Sequence, residues 1–167
     1  MCRVSLDISS SGTGYAIYEK DKLTNSGVIH PKGEFAKDRF PEMVKQINTI
    51  LEQNHPSKII VEGFYCANSF ASVEYILKIH GVVEAWAAMN GVSRVVLPPS
   101  SWRKTLGFPT PKKGQPKGTA RKEAKQMSIL FAGNLLDRAP ISDDEADAIC
   151  LGYAEYILSN EENKCKI

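Results

Sequence analysis

Apolar and polar positions change period along this chain, and each change marks an element. In Arg3-Val4-Ser5-Leu6-Asp7-Ile8 apolar residues fall at every second position, the period of a strand. Ser9-Ser10-Ser11-Gly12 is turn material, and Thr13-Gly14-Tyr15-Ala16-Ile17-Tyr18 reads as a second strand. A hairpin turn at Asp21-Lys22 leads into a third, Leu23 to Ile29, which Pro31-Lys32-Gly33 ends. From Arg39 to Gln53, the residues Phe40, Met43, Val44, Ile47, Ile50 and Leu51 recur at helical spacing.

Beyond Pro56, Lys58-Ile59-Ile60-Val61-Glu62 is a short apolar run closed by a carboxylate, the pattern of a buried parallel strand. Residues 70–90 follow a helical period through Val73, Ile76, Leu77, His80, Val83 and Ala87, and Gly91 ends it. Val92 to Leu97 is a fifth strand, stopped by Pro98-Pro99-Ser100. Residues 107–118 hold three prolines, three glycines and three lysines and read as a loop, followed by a basic helix over Thr119 to Phe131. The last helix runs from Ser142 to about Ser159, and Ser142-Asp143-Asp144-Glu145 carries a capping-box signature.

A strand hairpin followed by strand–helix alternation predicts an α/β fold: a mixed five-stranded sheet flanked by helices. Its 167 residues suit one domain, expected over 1–160, with 161–167 as a C-terminal tail. The composition, 43% hydrophobic and 24% charged, argues against disorder and coiled coil. No apolar run approaches the roughly 20 residues of a membrane helix. No leader-like segment precedes the first strand, so a cytoplasmic protein is expected. The four cysteines are too scattered for a disulfide framework or a zinc site.

Charge is unevenly placed. Between Arg103 and Lys125 stand eight basic residues (Arg103, Lys104, Lys112, Lys113, Lys117, Arg121, Lys122, Lys125) and one acid, Glu123. That stretch is +7, which leaves −5 on the rest of a chain of net +2. A local cationic segment on an acidic body suits an anionic partner, although a solvated linker has the same composition.

Four acids stand where a lone charge is costly. Asp7 interrupts an apolar strand, Glu62 closes another, and Asp144 and Asp147 share a face near the start of the last helix. Each alone has a simpler use, in a turn, a loop or a helix dipole. Together, acids from separate elements repel unless a cation lies between them, and Mg2+ or Mn2+ suits oxygen donors. Two such ions about 4 Å apart stabilise attacking and leaving oxygens in phosphodiester cleavage. Asp143 shares a face with Asp147, and the capping box accounts for Glu145.

At these residues the chain resembles the RuvC-type Holliday junction resolvases, of the RNase H-like fold. The likeness covers all but the last few residues. Leu6-Asp7-Ile8 with Thr13-Gly14-Tyr15-Ala16 is similar to the first acidic motif, and Val61-Glu62-Gly63-Phe64-Tyr65-Cys66-Ala67-Asn68 to the second. Asp144-Glu145-Ala146-Asp147-Ala148-Ile149 resembles the D-x-x-D-A-[LI] motif, which favours Asp144 over Asp143. Gly118-Thr119-Ala120-Arg121-Lys122 resembles the start of the family's basic helix.

The resemblance implies a metal-dependent endodeoxyribonuclease making paired symmetric nicks in four-way and other branched DNA, with 5′-phosphate and 3′-hydroxyl products. Asp7, Glu62, Asp144 and Asp147 are then expected to bind two Mg2+ ions, with Mn2+ as substitute, and Lys122 is the catalytic lysine. Arg103 or Lys104 falls near a second basic position, and Tyr65 takes the place of an aromatic that stacks on bases. Arg103, Lys104, Lys112, Lys113, Lys117, Arg121 and Lys125 are expected on DNA phosphates. Phe64 is a further stacking candidate, whereas Phe70 reads as core and Trp86 and Trp102 as structural.

A two-fold junction calls for a homodimer, with the helix over 70–90 as candidate interface. Ile8-Ser9 replaces the proline and glycine usual after the first aspartate, which points to a bacteriophage-encoded branch acting in the host cytoplasm. The alternatives are a nuclease of the same fold acting on structured RNA or general branched DNA, and a junction-binding protein without catalysis.

Overall fold

The fold is described by a computed structural model covering residues 1–64, 70–109 and 117–164. Its elements are β1 (Cys2–Ile8), β2 (Thr13–Glu19), β3 (Lys22–Ile29), α1 (Ala36–Asn54), β4 (Lys58–Glu62), α2 (Phe70–Met89), β5 (Ser93–Leu97), α3 (Pro99–Thr105), α4 (Lys117–Leu136) and α5 (Asp143–Lys164). The sheet order is β3-β2-β1-β4-β5. β1 pairs antiparallel with β2 and β2 with β3, while β1–β4 and β4–β5 are parallel. The predicted mixed five-stranded sheet is thus observed, with helices on both faces.

The strand alternation decides what each face receives. Val4, Leu6 and Ile8 of β1, with Ile59 and Val61 of β4, join Met43, Ile47 and Leu51 of α1 and Tyr75, Ile79 and Val83 of α2 in one core. On the opposite face Ala16, Tyr18 and Ile60 pack with Ala146, Ile149 and Leu151 of α5 and with Trp102 of α3. α5 is therefore buried along much of its length against the sheet.

The polar side of β1 holds α5 in register from end to end. Arg3 donates to Glu155 at 3.1 Å, and Ser5 Oγ donates to the Ala148 carbonyl at 2.7 Å. Lys58 adds a second cation to Glu155 at 2.6 Å. Asp7 is the third polar residue in this series, at the other end of the strand.

Several elements differ from expectation. Pro98-Pro99-Ser100 stops the sheet but also opens α3, with Pro98 as N-cap and Pro99 as first helical residue. α4 starts two residues earlier and ends five later than predicted, and α5 extends past Ser159 to Lys164, into the segment expected as a tail, whose last three residues lie outside the described ones. At the start of α5 Ser142 Oγ accepts from the Glu145 amide at 3.1 Å. Glu145 does not complete the box. It is fully buried and accepts instead from Ser26, Arg138 and the Ile141 amide. Phe70, expected in the core, is 84% exposed. Most of the loop expected at 107–118 lies outside the described residues. Among the described residues, no helix is long and apolar enough to cross a membrane.

Candidate active site

Parallel pairing brings the first two acids together. Leu6 stands opposite Val61, so Asp7 and Glu62 follow at the C-terminal ends of adjacent strands. Both sit on the α5 face, because their neighbours Leu6 and Val61 belong to the core of the other face. Gly14 is the β2 partner of Asp7. A Cβ at Gly14 would collide with the Asp144 carbonyl and lie 2.9 Å from the Glu145 amide nitrogen. The missing side chain lets the first turn of α5 rest on β2, and Asp144 and Asp147 are thereby carried to Asp7.

The four carboxylates feel one another. Burial raises Asp7 well above the ordinary carboxylate range, and Glu62, Asp147 and Asp144 push it further in that order. Glu62 is also raised, by burial and then by Asp147, with Trp102 and Arg103 pulling the other way. Burial likewise raises Asp147, partly offset by Ser128, Arg103 and Lys125. Asp144 is raised by burial and by Asp143, and eased by Lys125 and His30. A low-dielectric cluster of this kind favours either a retained proton or a cation.

Two consecutive residues of α3 approach the cluster. The Trp102 indole Nε1 donates to Glu62 Oε1 at 2.8 Å, and Trp102 is fully buried. Arg103 Nη2 lies 3.4 Å from Asp147 Oδ2 and 4.0 Å from Glu62 Oε1. Its guanidinium stacks over the Trp102 ring, 4.7 Å from the centroid. Arg103, expected on DNA phosphates, thus turns inward to the acids. Trp102, expected to be purely structural, touches one of them. No short motif announces either contact; the signal available was the position of both residues just past a helix-opening Pro-Pro.

Other expected site residues lie apart. Lys104, Arg121 and Lys122 are exposed, and among the described residues no ion pair joins Lys122 to the four carboxylates. Lys125 pairs with Asp143, which holds that carboxyl below its ordinary value and distinguishes Asp143 from Asp144. Phe64 packs on the α1/α2 core, edge-on to His80 at 5.2 Å. Tyr65, Lys112 and Lys113, together with the side chain of Lys117, lie outside the described residues. On α2, Ile76 and Val83 face the sheet, whereas Phe70 and Leu77 face outward.

The donor set suits a hard divalent cation by its chemistry: four carboxylates from three elements, oxygen donors of the kind Mg2+ and Mn2+ accept. Asp147 Oδ1 is buried with no hydrogen-bond partner, an orphaned acceptor of the kind a cation satisfies. Among the described residues, no three His, Cys, Asp or Glu side chains stand close enough together to hold a cation as they are placed. Arg103 lies beside both Glu62 and Asp147.

No family model matches the sequence. Crossover junction endodeoxyribonuclease RuvC of Prochlorococcus marinus subsp. pastoris is 26% identical over 164 residues, covering 95% of this chain and 96% of that protein. Thermus thermophilus RuvC, solved in complex with a Holliday junction substrate, superposes with a TM-score of 0.74 at 16% identity over 96% of each chain. Fowlpox virus resolvase, solved with Holliday junction DNA, gives 0.60 at 19% identity over 95% of this chain and 99% of that one. The chain has the RNase H-like fold of the RuvC-type Holliday junction resolvases.

Proposed function

We propose that this chain is a divalent-metal-dependent endodeoxyribonuclease that resolves Holliday junctions by paired symmetric nicks, leaving 5′-phosphate and 3′-hydroxyl ends. One observation carries the reading. Asp7, Glu62, Asp144 and Asp147, from three separate elements, stand near one another at one end of the sheet, in a fold shared with resolvases solved on junction DNA.

Asp7, Glu62, Asp144 and Asp147 would hold Mg2+, or Mn2+ in its place, in a two-ion site. When bound, the ions lower the pKa of the attacking water and stabilise charge on the scissile phosphate. The chain's own residues do the rest. Burial and neighbouring negative charge raise these carboxyls, and a bound cation would relieve that cost. The exposed cations Lys104, Arg121 and Lys122 offer sequence-independent contacts to phosphates, with Lys122 also assigned to the phosphoryl charge. Lys112, Lys113 and Lys117 extend that cationic segment by sequence, and Lys125 and Arg103 border it from the acidic side. Tyr65 is assigned to the unpaired bases where strands exchange, whereas the second stacking candidate, Phe64, is taken up by its packing on the core.

Paired nicks need two active sites. A homodimer is inferred, with the outward Phe70 and Leu77 of α2 as apolar contacts. A bacteriophage-encoded branch acting in the host cytoplasm fits the Ile8-Ser9 departure.

The test is cleavage of a panel of four-way junctions, forks, duplexes and RNA hybrids in Mg2+. Symmetric ligatable nicks in the junction support the proposal. Preference for an RNA hybrid moves the activity to another nuclease of this fold, and junction binding without cleavage reduces it to a binding protein.

A further inference from the structure

The structure assigns a positioning role to Trp102, and the assignment rests on the metal-site reading above. We infer that its indole N–H fixes Glu62 for the cation and that the indole senses the loading of the site.

The geometry is specific. An indole is a donor with no acceptor and no charge, so its bond at 2.8 Å orients Glu62 Oε1 without competing for the site as a cation. A carboxylate has about four lone-pair positions, and one indole N–H leaves the second oxygen uncommitted by that bond. Arg103 reaches Asp147 and Glu62 as a positive charge and must yield when a divalent cation arrives; Trp102 need not.

The indole is also well held. It is fully buried and packs with Ile60, Phe108 and Leu151, meeting the Phe108 ring edge-on at 6.0 Å. Arg103 covers its outer face at 4.7 Å. Rigid support of a ligand by a neighbour locked in the core is how metal-site geometry is fixed, and loss of such a partner costs about 10- to 100-fold in metal affinity or activity.

A core role alone would be satisfied by any large apolar ring. Trp102→Phe keeps most of that volume and the edge contact with Phe108 while deleting the N–H. The full chain is titrated with Mg2+ by calorimetry, with thermal unfolding followed separately in chelator. The expected result is Mg2+ affinity weakened about 10-fold or more in Trp102→Phe, with a metal-free midpoint shifted by only about 2–4 °C. Unchanged affinity overturns the inference and leaves the metal site standing.

Optical evidence is independent of that variant's folding. The chain has two tryptophans, so in Trp86→Phe all indole emission comes from Trp102. Mg2+ is expected to shift that emission, and the further change Glu62→Gln to abolish the shift. Emission that stays fixed while calorimetry records binding overturns the coupling of Trp102 to Glu62. Absence of any Mg2+ binding to the unaltered chain removes the metal reading itself, and this inference with it.

Discussion

Arg103 Nη2 stands 3.4 Å from Asp147 Oδ2 and 4.0 Å from Glu62 Oε1, so one guanidinium from α3 serves carboxylates from α5 and β4. Arg103 acts here as a resident counter-cation, and its removal has opposite effects in the two states of the site. In Arg103→Gln the acids lose their compensating charge, and the metal-free protein loses about 1–3 kcal/mol. The same variant is expected to bind Mg2+ several-fold more tightly, because a competing positive charge is gone. Denaturant unfolding in chelator and calorimetric titration measure the two effects; weaker Mg2+ binding would show that Arg103 supports the cation instead.

Asp7 gives the clearest pH signature. Its folded pKa lies above its unfolded one, so between those values the folded chain holds the extra proton and stability falls as pH rises. The stabilising effect is fully present below the ordinary carboxylate range and is lost as pH climbs through the raised value. The stability difference between metal-free wild-type protein and Asp7→Asn is therefore expected to move against wild type as pH rises above the ordinary carboxylate range. Asp7→Asn raises the neutral-pH midpoint by about 2–4 °C for each kcal/mol of repulsion removed, while cleavage drops to background. A variant less stable than wild type in chelator at neutral pH would contradict the buried-repulsion argument.

The parts of this site legible in the sequence are those set by short periods. Two-residue alternation in Arg3 to Ile8 assigns Asp7 to the face opposite Leu6, and the three-residue step from Asp144 to Asp147 sets both on one helix side. What escaped depends on tertiary direction. The run Pro98-Pro99-Ser100 ends a strand and begins a helix with the same residues, and α3 is too short for apolar periodicity to register. The inward turn of Trp102 and Arg103 depends on how α3 lies against β4 and α5. Glu145 fits a capping box by spacing, yet Ser26 from β3 and Arg138 outcompete its own helix start. Phe70 looks like core by residue type but opens α2 on its outer side.

Gly14 tests how α5 is seated. A methyl group there meets backbone atoms of Asp144 and Glu145, which cannot rotate away as a side chain can. Gly14→Ala is therefore expected to displace the first turn of α5, cost about 1–3 kcal/mol, and reduce cleavage far more than DNA binding. Gly81→Ala is the matched control. Nothing lies within 4 Å of a Cβ at Gly81, inside α2, and the change is expected to stabilise by about 0.5–1 kcal/mol through helix propensity. Urea unfolding of both variants, with junction cleavage alongside, separates a local collision from a general intolerance of added methyl groups.

His80 governs acid stability at a distance from the carboxylates. It is buried beneath Phe64, and Arg94 Nη2 approaches its Nδ1 at 3.0 Å. An arginine can only donate, so Nδ1 accepts and the ring is held neutral. Nε2 finds no hydrogen-bond partner. Burial, and then Arg94, lower its pKa to about 4. Glu84 pairs with Arg94 at 3.5 Å but is largely exposed, and it does not reverse this effect. The unfolded chain takes up the proton near its ordinary value while the folded chain resists, so stability is lost as pH falls from about 6.5 to about 4. Across that window the loss amounts to about 3 kcal/mol. His80→Gln keeps an acceptor for Arg94 without a titrating ring and is expected to remove this loss. The four active-site acids contribute with the opposite sign, so the quantity to measure is the wild-type minus variant difference in urea-unfolding free energy at several pH values. A difference that stays constant from neutral to acid pH would mean that His80 protonates equally in both states and is not held neutral by its burial.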